Sequence, residues 1–193
     1  MTTPSHLDRR NARSEPLEFT LTEDALVWRT QDGRWGGEMR FDRVQQVRLA
    51  VEIAGRASQV VCRVTDIDGR EAAFGSMRWA GPGHWEPAAD TFQVLLRGLH
   101  ASLLPRAALV RFVEGQSLAF TATMFGLGLI LAVAGAAFFV ILFLVQENPL
   151  GLALIAAIAA GGWLMRLFRP RGPRVYDPRT YAAAGLSETP PDQ

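Results

Sequence analysis

Asp66-Ile67-Asp68 places two carboxylates one residue apart, a spacing with which a short loop can hold a divalent cation. The same pair runs into Gly69, and Asp beside Gly is what a tight turn needs for backbone reasons, so the sequence favours a turn over a metal site. His6, His84 and His100 are far apart and lack the spacing of helical metal ligands. His84 follows Gly81-Pro82-Gly83, a loop without the Lys-Ser/Thr ending that cradles phosphates, so nucleotide binding has no support. Cys62 lies in a β-branched run with no paired His. It reads as a small core residue rather than a nucleophile, and alone it forms no internal disulfide. Trp28, Trp35, Trp79 and Trp85 read as core or rim packing more readily than as a binding groove. The expectation is a chain with no catalytic, cofactor or metal residues, and not an enzyme.

What remains is charge. All 20 basic residues are Arg, and the net charge is +1. The chain before the first apolar segment carries no basic stripe, which argues against a nucleic-acid partner. Arg166, Arg169, Arg171 and Arg174 are instead concentrated in one short stretch, where guanidinium groups can contact anionic lipid headgroups. Arg29, Arg34 and Arg40 flank an early hairpin and read as a solvated edge.

Two apolar segments must position the Arg cluster. Residues 118–145 contain no ionisable group and hold 16 Leu, Ile, Phe or Val. At about −0.4 kcal/mol each, these contribute about −6 kcal/mol toward insertion in a bilayer. Residues 150–168 are richer in Ala and carry Arg166 close to their end, where it can snorkel to the interface. Between them Gln146-Glu147-Asn148-Pro149 is short enough only for an antiparallel hairpin. The turn has no Arg, whereas both outer flanks do, so the positive-inside rule predicts cytoplasmic N- and C-termini. Gly128, Ala132, Gly135 and Ala136 share one helix face, and Ala153, Ala157, Ala160 and Gly161 another. Such faces allow close backbone approach in lipid, giving a candidate helix-packing face.

Ahead of the apolar pair, residues 47–53 alternate apolar and polar side chains, the period of a half-buried strand. Residues 59–67 form a second, and Asp68-Gly69 turns the chain into a third over 70–79. Residues 25–30 and 35–41 flank Asp32-Gly33 in the same way, and 18–21 can lead them, so an antiparallel meander is expected. After a Gly/Pro loop over 80–86, Phe92, Leu95, Leu96, Leu99 and Leu103 follow helical spacing, with Gln93, Arg97 and His100 assigned to the opposite face. Pro87 is placed in the first turn, and Pro105 stops the helix. A single amphipathic helix after a run of strands packs its stripe on the sheet. The expected organisation is a disordered N-terminus over 1–16 without a signal peptide, and a soluble domain over 17–105. A connector over 106–117, apolar helices over 118–145 and 150–168, and a disordered Arg/Pro-rich tail over 169–193 complete it.

The segments LTEDALVW (21–28), FDRVQQVRLAV (41–51), VCRVTDIDGREAAF (61–74) and DTFQVLLRGLHASLL (90–104), taken together, resemble small bacterial PH-like domains attached to membrane helices. The resemblance implies an α+β domain, an antiparallel sheet or partly open barrel closed by one C-terminal helix, here followed by a two-helix transmembrane hairpin. The implied function is that of a membrane-anchored cytoplasmic interaction module in a bacterial inner membrane, with the lipid bilayer and a protein or a second copy as partners. The alternative is an accessory subunit assembled through the hairpin.

Overall fold

The computed structural model describes residues 4–183. It forms two compact units: a sheet-rich unit that ends at Gly115 and resumes at Arg174, and a helical unit over Gln116–Pro173.

In the sheet-rich unit β1 (Ser5–Asp8), β2 (Leu17–Leu21), β3 (Ala25–Thr30) and β4 (Gly36–Arg40) pair antiparallel in chain order. Asp32 makes the β3–β4 turn, its carboxylate accepting from the Thr30 hydroxyl and the Arg34 N–H. β5 (Val44–Ala54), β6 (Ala57–Asp66) and β7 (Glu71–Gly75) form a second antiparallel set. Asp66 closes its β6–β7 turn by accepting from the N–H groups of Asp68 and Arg70. β8 (Met77–Gly81) and β9 (His84–Pro87) make a separate hairpin, and α1 (Ala89–Leu103) follows. The apolar stripe of α1 is buried as its spacing predicts: Phe92, Leu95, Leu96, Leu99 and Leu103 meet Phe19, Leu26, Val47, Val64 and Phe74. Each such Leu contributes about 1.5–3 kcal/mol by burial.

The chain departs from the expected organisation at several places. Residues 1–16 were expected to be disordered, yet β1 pairs with β2 and buries His6 and Asp8. The expected connector contains β10 (Arg111–Glu114), which lies parallel to β5, so the unit is not a pure antiparallel meander. The expected disordered tail contains β11 (Arg174–Val175), antiparallel to β10, and α4 (Pro178–Ala183). The second sheet therefore runs β11-β10-β5-β6-β7. The domain extends past its expected N-terminal boundary through β1, and past its C-terminal one because Phe112, Tyr176 and Tyr181 cover one end of α1. Residues 184–193 of the expected tail lie outside those described. The Gly/Pro loop over 80–86 is the tip and second strand of the β8–β9 hairpin, Pro87 ends β9, and the helix begins at Ala89. Residues 70–79 are two strands broken at Ser76, which gives its N–H to the Val60 carbonyl.

In the helical unit α2 (Leu118–Phe139) is capped by Ser117, whose hydroxyl accepts from the Phe120 N–H, and its last turns over Val140–Val145 widen to a π-helix. Asn148 caps the return, accepting from the Leu150 N–H, and a 3-10 stretch over Pro149–Ala153 leads into α3 (Leu154–Leu167). Both Leu118–Val145 and Pro149–Leu167 are long and apolar enough to cross a membrane. The first is about 42 Å long against a hydrocarbon core of about 30 Å, so in a bilayer tilt or projection would absorb the excess.

Candidate functional site

At the C-terminal end of α3 the helix stops because Pro170 and Pro173 have no N–H to continue it, and the Phe168 N–H closes the last turn on Leu164. Arg166 sits in that last turn, and Arg169 and Arg171 follow in the extended exit. With Phe125 from α2 and Gly162 and Met165 from α3, these three Arg line an open cavity of about 470 Å³. A side chain at Gly162 would meet nothing within 4 Å, so that wall stays clear. Among the described residues, none of the three guanidinium groups is in an ion pair. The cavity thus brings three cations together beside Phe125 and Met165, an arrangement able to contact a phosphate-bearing amphiphile. Arg174, counted in the same cluster from sequence, is not part of it: it begins β11 and stands opposite Glu114 in register.

The small residues divide. A side chain added at Gly161 would lie 2.6 Å from the Ala132 nitrogen and from the Gly128 carbonyl oxygen. One added at Gly135 would lie 3.5 Å from the Ala157 Cβ. Those five residues meet where α2 and α3 pack. Ala136, Ala153 and Ala160 are exposed.

Two buried polar clusters were not foreseen. His100, assigned to the polar face of α1, is fully buried. Its Nδ1–H donates to the Leu96 carbonyl at 2.8 Å, and its Nε2 accepts from the Tyr176 hydroxyl at 2.7 Å. The Phe112, Tyr176 and Tyr181 rings surround it. Burial lowers the His100 pKa, against the contrary pull of the Leu96 carbonyl, and raises that of Tyr176. The second cluster gathers on Gly75. His6 donates Nε2–H to its carbonyl and accepts from the Thr91 hydroxyl, while Asp8 accepts from its N–H. Burial pushes His6 down to about 4, with the Gly75 carbonyl opposing and the Arg78 charge adding. Burial pushes Asp8 up to about 6, against the Arg10 charge and its backbone hydrogen bonds. Glycine at 75 leaves room for Gln59 and Arg10, because a Cβ there would stand 2.7 Å from Gln59 Oε1 and 3.2 Å from Arg10 Nη1. Asp8 Oδ1, Arg10 Nη1 and Gln59 Oε1 are buried without a partner.

The remaining sequence candidates are scattered. Cys62 is buried, and burial raises its thiol pKa. Asp68 pairs with Arg43, and His84 is exposed at a hairpin end. Arg34 pairs with Asp32, and Arg40 with Asp24 and Asp42. Trp79 lies under the Arg9 guanidinium, Trp28 packs beside Phe19, and Trp35 is exposed. No signal in the sequence marked His6 or Asp8, since a four-residue strand shows no period.

No family model and no curated protein matches the chain. Among solved structures it is similar to the hSac2 domain from the human phosphoinositide phosphatase Sac2, with 10% identity and a TM-score of 0.40, over 60% of this chain and 76% of that one. The expectation that the chain is not an enzyme is corrected by this match, since the similar domain comes from a phosphatase and the exclusion does not stand. At that identity and TM-score the likeness carries no activity, substrate or residue to this chain.

Proposed function

We infer that the chain is a membrane-anchored interaction module, a PH-like domain held at the cytoplasmic face of a bacterial inner membrane by a hairpin of two membrane-crossing helices. One observation carries this reading. The sheet-rich unit gives up the chain at Gly115 and takes it back at Arg174, and the two flanking strands are neighbours, Val113 opposite Val175. Both ends of the apolar pair therefore return to one folded unit, which requires an even number of crossings. The Arg-rich exit supports placing that side in the cytoplasm. Two antiparallel sets followed by one amphipathic helix support the PH-like reading.

Site-specific photocrosslinking of the full chain in native membranes tests it. A crosslinker at Trp35, exposed on the β3–β4 hairpin, should give a discrete protein adduct, and one at exposed Ala153 or Ala160 should not. Adducts from the helices alone would replace this reading with that of an accessory subunit assembled through the hairpin.

A further inference from the structure

β5 outruns the rest of its sheet on the β10 side. β10 accompanies it only as far as Leu49, where the Gly115 N–H bonds the Leu49 carbonyl. Because β10 is parallel to β5, the chain leaves for α2 at the end from which β5 continues through Ala54. β11 enters at the same end, with Arg174 opposite Glu114. Beyond this double tether the β5–β6 hairpin projects five more residues, or about 17 Å. Its turn is Gly55-Arg56, with Gly55 in the left-handed region at φ 64.

The projecting part is two-faced. One face carries Glu52, bridged to Arg10 and Arg63. The other prolongs the face that is core at Val47 and Leu49, and its apolar side chains are exposed: Val51 60%, Ile53 84% and Val60 37%. Val60 lies directly opposite Val51. Trp85 sits against the turn, since a Cβ at Gly55 would be 3.0 Å from its ring, and Arg56 is exposed at the tip. Aliphatic residues, a Trp and an Arg at one end form the composition of a bilayer interface.

We propose that this hairpin tip docks in the headgroup–acyl boundary of the bilayer, with Val51, Ile53 and Val60 against lipid and Arg56 toward anionic phosphate. Reach selects lipid as the occupant. Only Gln116 and Ser117 separate Gly115 from Leu118, the first residue of the apolar helix, which holds the tether within about 10 Å of that helix's start. The tip projects farther than its tether is long, which brings lipid within its reach. The tip's apolar face is what contact with lipid requires. The proposal rests on the reading that α2 and α3 cross a bilayer.

The test uses the full chain with Cys62→Ala and a single environment-sensitive fluorophore on Ile53→Cys, in vesicles of phosphatidylcholine and phosphatidylglycerol. The reference positions are Gln45→Cys, at the far end of β5, and Ile130→Cys, in α2. Emission from position 53 should shift to the blue and be quenched by shallow spin-labelled lipid several-fold more than emission from position 45. Val60→Cys should behave as Ile53→Cys does. If positions 53 and 45 respond alike while 130 is quenched, docking of the tip is overturned and the membrane reading stands. An unquenched position 130 overturns both. A blue shift at 53 without lipid quenching shows another protein surface over the tip, and this also overturns the proposal.

Discussion

Replacing Asp8 by Asn and His6 by Gln should tilt the pH dependence of stability in opposite directions. Both groups contact Gly75, and both are driven by burial toward their neutral forms. The folded His6 has its pKa lowered from 6.5 to about 4, so between those values the unfolded chain holds more protons. Its contribution to stability therefore rises with pH across that window, by about 3 kcal/mol in all. The folded Asp8 has its pKa raised from 3.8 to about 6, so there the folded chain holds more protons and stability falls as pH rises, again by about 3 kcal/mol. In the natural chain the two slopes nearly cancel between pH 4 and 6. Asp8→Asn should leave the rising slope alone and, at pH 7, make the protein more stable by up to about 3 kcal/mol. His6→Gln retains a donor for the Gly75 carbonyl and should leave the falling slope alone. Urea unfolding of the full chain in detergent, followed by Trp emission, reads this out, because four of the five Trp lie in the sheet-rich unit. Carboxylates elsewhere, such as Asp32 and Asp42, cancel in the difference between variant and natural chain. A difference that stays flat from pH 4 to 6.5 for both variants would refute the argument.

Tyr176→Phe should cost about 1–3 kcal/mol in the same unfolding assay, because His100 Nε2 is left buried without its donor, whereas Tyr181→Phe should change stability by under about 0.5 kcal/mol. Gly161→Ala should destabilise the helical pair by about 1–3 kcal/mol in a thermal scan by circular dichroism, since its Cβ meets backbone atoms at 2.6 Å. Gly162→Ala, with nothing within 4 Å, should not.

The parts of the fold that the sequence announces are those with enough residues to show a period. β5 alternates over residues 47–53, β6 is a run rich in β-branched residues, and the α1 stripe covers four turns. The apolar helices are visible from composition alone, and the turn at Asp68-Gly69 from its two residues. β1, β10 and β11 have four, four and two residues, too few for any pattern, and they are placed by partners distant in the chain. His100 illustrates the consequence. Read on α1 alone it belongs with Gln93 and Arg97, but a segment from beyond the second apolar helix covers it. The Arg cluster was visible as composition. That Arg174 parts from the other three depends on the β10–β11 pairing, to which no local pattern points.

The pairing of Val113 with Val175 also sets an order of events during synthesis. Tyr176 and Tyr181 emerge from the ribosome only after both apolar helices have been made, yet they complete the covering of α1. Until then His100 and Phe112 lack their aromatic cover, and the last closure spans the whole apolar pair at an entropic cost that grows only slowly with its length. A nascent chain whose second helix fails to come back exposes that surface to chaperones and proteases. On the reading that the two apolar helices insert in a membrane, correct insertion and a finished sheet-rich core are thus checked by the same two tyrosines.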